Sequence, residues 1–433
     1  MTTIERSRLN EGQTAAAEGF FEFLFSPHKE LIISGPGGTG KTHLMSAMID
    51  QIMPRYFETC KLMSMDPKYD AVEMTATTNK AAEVLAVATQ RPTSTIHSLL
   101  NLKVQDDFKT GESKLTRTGA WKPHQRKIIF IDECSMIDSP LRAEILGGCL
   151  NCKIVYVGDH CQLAPVTETI SPIYRANLPF FELTEQMRTN DVDLQALNLQ
   201  MRHTVETGEF YPIQVVPGVI DWMDDETMQA TVDEAFATQT HDTRILAYTN
   251  AQVNLFNDHI RVIRNLPPSY TVGENLINNA AIRIGGKMLS VEAEVELIRQ
   301  ASDTSIIELA PQAELEVRMS DLRAMSGEVY RDVPIPEDRD HFLALSKYFS
   351  KKKDWERYFN MKGTYPDLRP RDASTVHKSQ GSTYDSVFID LGNISTCHQP
   401  NAVARMLYVA FSRARTRVFL YGELAEKYGG LIH

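Results

Sequence analysis

The segment Gly35-Pro-Gly-Gly-Thr-Gly40-Lys41-Thr42 constrains this chain more than any other, because it directly follows the apolar run Leu31-Ile-Ile and directly precedes a helix-like stretch. A glycine-rich loop of this spacing needs a buried strand on one side and a helix N-terminus on the other. Gly35, Pro36, Gly37, Gly38, Thr39 and Gly40 then turn backbone N–H groups inward around phosphate oxygens, Lys41 reaches the β- and γ-phosphates, and the Thr42 hydroxyl ligates Mg²⁺. The fold class that follows is α/β, with the loop at the carboxyl edge of a parallel sheet.

A phosphate cradle needs an acidic partner for the metal. Ile128-Ile-Phe-Ile-Asp132-Glu133 ends an apolar strand with two carboxylates, Asp132 for Mg²⁺ and Glu133 to polarise the attacking water. Val157-Gly158-Asp159-His-Cys-Gln162 ends another strand, bringing Gln162 to the same edge as a sensor of the γ-phosphate. Strands at Leu31, Val72, Ile128 and Lys153 alternate with helices after Lys41, Asn79 and Ser139, and the alternation returns at Arg244, Ser386 and Arg417. Two α/β domains are therefore expected, and 433 residues exceed what one core of roughly 250–300 residues accommodates.

Two stretches interrupt the alternation. Asn101 to Lys127 reads as a β-hairpin turning at Thr110-Gly111, and Pro267 to Arg369 as several β runs followed by a polar, aromatic helical segment from His341 to Asn360. The formal charge of −11 argues against coating of nucleic acid by a global positive field and confines any such contact to a local groove. No window reaches the ~18–20 apolar residues of a membrane span, so a cytoplasmic protein is expected. Cys149 and Cys152 have CxxC spacing without a second CxxC or a paired histidine motif to complete a tetrahedral zinc site. The six cysteines are expected as reduced thiols.

The motifs fall in the order found in superfamily 1 helicases: the phosphate loop, Thr77-Thr78-Asn79-Lys80, Thr95-Ile-His97-Ser, Asp132-Glu133-Cys-Ser-Met, the Gly-Asp-x-x-Gln element, Leu183-Thr-Glu-Gln-Met-Arg188, Ser374-Thr375-Val-His377-Lys378-Ser-Gln380-Gly381 and Tyr408-Val-Ala-Phe-Ser412-Arg413. The chain resembles that superfamily, and within it the RecD/Dda-like branch, over nearly its whole length except residues 267–369. The resemblance implies an ATP-dependent DNA helicase, active in replication, recombination or repair, that moves 5′-to-3′ as a monomeric motor on single-stranded DNA. Replication or single-strand-binding proteins are the partners such a motor would meet. Carried over by position, it puts the Gln13 amide at the adenine edge, Gly381 beside the nucleotide, and Arg188 and Arg413 at the γ-phosphate. It assigns Thr78, Thr95, His97, Thr375 and His377 to the single-stranded DNA path, where hydroxyls and imidazoles meet successive phosphates.

The expected layout is a first RecA-like domain at residues 1–100 and 128–187, a hairpin at 101–127, a second RecA-like domain at 188–266 and 370–433, and an SH3-like β-barrel with a helical projection at 267–369. ATP would close the two α/β domains through Arg188 and Arg413. The hairpin would act as a pin at a duplex junction, with Phe108 near its tip stacking on the last base pair. Lys114, Arg117, Lys122, Arg126 and Lys127 would steer the displaced strand, and Trp121 would pack at the base.

Overall fold

The computed structural model describes residues 9–110, 113–165, 168–185, 189 and 191–433. Gly111 and Arg188 lie outside the described residues. In chain order the first part contains α1 (Glu11–Phe25), β1 (Glu30–Ser34), α2 (Lys41–Ala47), a π-helical turn at Met48–Ile52, α3 (Met53–Leu62), β2 (Ala71–Ala76), α4 (Asn79–Thr89), β3 (Thr93–Thr95) and α5 (Ile96–Leu99). The hairpin strands β4 (Leu102–Asp106) and β5 (Ser113–Arg117) follow, then β6 (Lys127–Asp132), α6 (Ser139–Gly148), β7 (Lys153–Gly158), β8 (Phe180–Glu182) and α7 (Val192–Thr207).

Strands β3-β2-β6-β7-β1-β8 form a six-stranded sheet in that order, and its pairings are parallel. Parallel strands covered by helices on both faces read as unbroken apolar runs, which is why Leu31-Ile-Ile and Ile128-Ile-Phe-Ile were legible. One layer of side chains (Leu31, Ile33, Phe130, Val155) packs with Phe20, Leu44 and Met48; the other (Ile32, Ile129, Ile131, Tyr156) packs with Leu141, Ile145 and Ile173. β1 and β7 lie side by side with Ser34 opposite Gly158, so the phosphate loop and the Gly158-Asp159 turn leave the sheet together.

The second part holds β9 (Ile213–Gln214), β10 (Ile220–Met223), α8 (Asp225–Ala235), β11 (Thr243–Ala247), α9 (Asn250–Ile263), β12 (Asn275–Asn278), β13 (Ile282–Ile284), β14 (Lys287–Leu289), β15 (Glu294–Gln300), β16 (Ser305–Ala310), β17 (Ala313–Ala324) and β18 (Val329–Pro336). After these come α10 (Arg339–Lys351), α11 (Trp355–Thr364), β19 (Leu368–Pro370), β20 (Ala373–Thr375), β21 (Tyr384–Asp390), α12 (Leu391–Ser395), α13 (Pro400–Phe411), β22 (Ala414–Tyr421) and β23 (Leu431–Ile432). A second sheet, β10-β22-β21-β11-β20, is the expected second α/β layer. The inserted β runs form an antiparallel sheet, β16-β17-β15-β12-β19 with β18 on β17, an open half-barrel. The single helical segment read from His341 to Asn360 is two helices, broken where Lys353 takes a left-handed φ of 57° before the Asp354 cap.

By its contacts the chain divides into two compact units: Met1–Lys103, Leu115–Tyr211 and Gln399–Thr416 form one, and Val104–Lys114, Pro212–His398 and Arg417–His433 the other. This grouping departs from the expected bounds at three places. Residues up to Tyr211 and the helix α13 group with the phosphate-loop sheet, and the hairpin tip groups with the half-barrel unit. No helix among the described residues is long and apolar enough to cross a membrane.

Candidate nucleotide site and strand-contact residues

Within the first unit the phosphate loop runs from Ser34 at the end of β1 to Lys41 at the start of α2. Gly40 caps that helix at φ +74°, a left-handed conformation, and a Cβ there would sit 2.4 Å from Gln13 Nε2. At Gly35 a Cβ would meet the Leu183 carbonyl oxygen at 2.5 Å. Only glycine fits either position. Lys41 Nζ donates to the Gly35 oxygen at 2.6 Å and the Pro36 oxygen at 2.9 Å, so the ammonium is held over the mouth of the loop. Thr39 Oγ1 donates to the Pro36 oxygen at 3.0 Å and tightens the turn.

Gln13 is buried, and its amide is engaged twice. Its Oε1 accepts from the Asn10 backbone N–H in a capping box, and its Nε2 donates to the Thr39 oxygen at 3.0 Å. In this arrangement Gln13 ties the start of α1 to the phosphate loop, a role that spacing could not reveal. Contact with an adenine edge requires these bonds to be exchanged.

Asp132 ends β6 and Glu133 follows with a left-handed φ of 53°. Burial, with the Glu133 carboxylate adding to it, pushes the Asp132 carboxyl up to about 7, although the Glu133 N–H and the Lys41 ammonium pull the other way. Asp132 and Glu133 are adjacent, half-buried carboxyl groups near the Lys41 ammonium, a donor set of the kind that holds a cation. The buried Gln162 Oε1 has no hydrogen-bond partner among the described residues, as expected of a group that waits for a ligand or its water.

The structure adds a network that the sequence reading missed. Asp159 is fully buried; its carboxylate accepts from Arg202 Nη1 at 2.8 Å, the Tyr408 hydroxyl at 2.6 Å and the Cys161 N–H at 3.1 Å. Arg202, on α7, also reaches Glu182 at 2.6 Å and Glu206 at 3.1 Å. Burial alone would raise the Asp159 carboxyl, but Arg202, then Lys41 and Tyr408, outweigh it and hold it below the usual range. Arg405 donates to the His160 oxygen at 2.7 Å and to the Gln162 oxygen. Through Tyr408 and Arg405, α13 is fastened to the turn that carries Gln162. Asp159 and Tyr408 each stood inside a motif, but nothing in the sequence joined them to each other or to Arg202.

Arg413 stands two residues after α13, 1% exposed, with Nε on the Val409 oxygen at 3.0 Å and Nη2 on Ser412 Oγ at 2.9 Å. Pro36, Gly37, Thr189, Asn198, Tyr408, Ser412 and Ala414 line a small cavity beside the phosphate loop. In the same unit, therefore, the segment bearing Arg413 runs along the phosphate loop. Gly381 belongs to the other unit and has φ +76°.

Three threonines expected on a strand path are helix caps. Thr78 Oγ1 accepts from the Ala81 N–H at 3.1 Å, Thr95 Oγ1 from the Ser98 N–H at 3.1 Å, and Thr375 Oγ1 from the Lys378 N–H at 3.4 Å. Burial holds the His97 imidazole below its ordinary pKa, with Asp138 opposing. His377 is exposed, its ring 6.5 Å from that of Tyr248. Phe108, 51% exposed, meets the Phe359 ring of α11 edge-on at 5.4 Å. Asp107 Oδ1 accepts from the N–H groups of Lys109 and Thr110, which shapes the turn. At the base, the half-buried Trp121 packs against the core under the Arg117 guanidinium, 4.0 Å from its ring centroid. Of the basic residues there, Arg117 pairs with Glu144, Arg126 with Asp70 and Lys127 with Glu73, so three charges expected to face a strand are engaged within the unit.

Residues 8–212 match the model of the AAA domain and residues 372–421 that of the UvrD-like helicase C-terminal domain. Curated relatives include the ATP-dependent DNA helicase dda of Enterobacteria phage T4, 25% identical over 455 residues that cover 95% of this chain and 98% of the relative. Another is the RecD subunit of the RecBCD enzyme of Haemophilus influenzae, 28% identical over 157 residues, 31% of this chain and 22% of that one. Among solved structures, the Pif1 helicase from Bacteroides in complex with ADP-AlF3 and ssDNA has the same fold, with a TM-score of 0.52 and 15% identity over 99% of this chain and 95% of that chain. Phosphate loop, acidic pair and parallel sheet define a P-loop nucleoside triphosphatase, and the matches to helicases put it with those of superfamily 1. Within that type the chain is RecD/Dda-like, and the resemblance read from its motifs holds along nearly the full sequence.

Proposed function

We propose that this chain is an ATP-dependent DNA helicase that moves 5′-to-3′ along single-stranded DNA and opens duplexes at a junction. The observation that carries this reading is the bond from the Tyr408 hydroxyl to Asp159, 2.6 Å, which links the helix before Arg413 to the turn after β7 that bears Gln162. A change at the γ-phosphate felt by Gln162 is then felt by α13, and a motor needs that linkage.

In this mechanism Lys41 and the loop N–H groups bind the phosphates of ATP, Gln13 reads the adenine, and Glu133 takes a proton from the attacking water. Mg²⁺, held by Thr42 and Asp132, would neutralise phosphate charge. Arg413 and Arg188 would stabilise charge on the transferring phosphoryl group, an effect worth roughly 10³–10⁵ in rate. Thr78, Thr95 and His97 in one α/β unit and Thr375 and His377 in the other would grip the strand in alternation, through cap hydroxyls and neighbouring N–H groups rather than through lysines, which suits release in every cycle. Phe108 would meet the junction. The test is ATP turnover with and without a single-stranded DNA oligonucleotide, in the parent and in Lys41→Ala. Stimulated turnover in the parent and none in the variant is expected; turnover indifferent to DNA would overturn the reading.

A further inference from the structure

The half-barrel unit holds a cavity of about 490 Å³, within the range of small-ligand sites. Its floor is apolar and aromatic, built from Ala280, Phe342, Leu343, Tyr358 and Tyr365; its rim carries Ser346, Ser350 and the ammonium groups of Lys347, Lys351 and Lys362, and the one acidic residue on its wall, Asp367, is paired with Arg339 at 2.9 Å. Lys347 and Lys351 lie one helical turn apart on α10, exposed and without an ion pair among the described residues. Lys362 Nζ sits 3.2 Å from the Tyr358 hydroxyl, on α11. Residues 341–365 carry six basic and two acidic side chains in a chain whose net charge is −11.

Two neighbours say what this cavity serves. Phe359, next to the cavity-lining Tyr358, receives the hairpin's Phe108. Asn279, the residue after β12 and on the cavity wall, accepts from the Nζ of Lys378, the residue after His377, at 2.5 Å. The cavity thus lies between the tip of the hairpin and one of the strand-contact motifs. An apolar floor under three cations suits a ligand that is flat and apolar at one end and anionic at the other.

We propose that this cavity is a nucleotide subsite for single-stranded nucleic acid, with an unstacked base on the Tyr358 and Leu343 floor and the adjoining phosphates on Lys347, Lys351 and Lys362. A duplex offers no free base face to such a floor, so the ligand is a single strand. The source is either the tracked strand or the displaced one. The proposal rests on the helicase reading only in its choice of nucleic acid over another amphiphilic anion, such as an acidic peptide with an aromatic residue.

The experiment compares the parent with the variant Lys347→Ala, Lys351→Ala, Lys362→Ala and with the charge-keeping variant in which all three become Arg. Fluorescence anisotropy would follow binding of a single-stranded oligonucleotide and of a fork with two single-stranded tails across a salt series. Each phosphate contact contributes about 0.7 to the slope of log affinity against log salt for a single strand, so the alanine variant should lose about 2 from that slope and on the order of tenfold in affinity, with the arginine variant restored. Loss already on the oligonucleotide assigns the site to the tracked strand; loss confined to the fork assigns it to the displaced strand. Unchanged slope and affinity on both DNAs would overturn the proposal, as would a site that takes up an acidic aromatic peptide but not DNA. ATP turnover that DNA fails to stimulate in the parent would instead be the failure of the helicase reading.

Discussion

Replacing Arg202 by Ala should destabilise the phosphate-loop unit severely, and the structure gives the size. Asp159 is fully buried and the Arg202 side chain 8% exposed. Removing one partner of a buried, hydrogen-bonded ion pair costs about 3–5 kcal/mol because the remaining charge is left dry and uncompensated. Asp159 keeps the Tyr408 hydroxyl and the Cys161 N–H, which argues for about 3 kcal/mol, the low end of that range. In a unit of roughly 200 residues this corresponds to a fall on the order of 10 °C in its melting temperature. The pH dependence follows from the sign of the Asp159 shift. In the parent the carboxyl is depressed, so its stabilisation is present above the ordinary carboxylate pKa and is lost as pH falls through the folded value. Without Arg202 burial dominates and the carboxyl rises, so protonation relieves the variant early. The gap between parent and variant should be widest near neutral pH and shrink toward about pH 4, near the ordinary Asp pKa. Calorimetry of the full chain across that range is the assay. A variant melting within about 2 °C of the parent at pH 7, a shift worth under about 1 kcal/mol in a unit of this size, or a gap that widens on acidification, would refute the reasoning.

Three further outcomes are expected. Glu133→Gln should bind ATP yet lose turnover by at least about a hundredfold, the scale of a general base; parental turnover by a phosphate-release assay would remove Glu133 from that role. Arg413→Ala should keep nucleotide affinity within about tenfold while losing most DNA-stimulated turnover, and full stimulation would sink its part in the mechanism. Deleting Val104 to Lys114 across a short Gly-Ser bridge leaves the Arg117 contacts with Glu144 and Trp121 in place; DNA-stimulated turnover should survive while unwinding collapses, and equal loss of both would show that the hairpin is no pin.

What was legible in the sequence was local. The phosphate loop announces itself because glycine alone tolerates the approaches at Gly35 and Gly40, and Asp132 because a buried parallel strand reads as one apolar run. The helices after Lys41, Asn79 and Ser139 follow from the alternation of apolar runs with helix-like stretches, and the structure adds the caps, Thr78 for the second and Asp138 for the third. The Asp159–Arg202–Tyr408 network joins residues 43 and 249 positions apart, and no spacing rule connects them. Thr78, Thr95 and Thr375 show the opposite limit: a threonine before a helix satisfies the cap pattern and the strand-path pattern equally, and the structure displays the cap. The meeting of Phe108 with Phe359 was likewise out of reach, since it depends on how two insertions 251 positions apart fold back.

The most direct test of the central claim is unwinding of duplexes that carry a single-stranded tail on one side only. With ATP and Mg²⁺, the chain should open a duplex with a 5′ tail and leave one with a 3′ tail closed, and Lys41→Ala should open neither. Opening of the 3′-tailed duplex alone would contradict the proposed direction, and opening of neither by the parent, despite ATP turnover, would contradict the helicase itself.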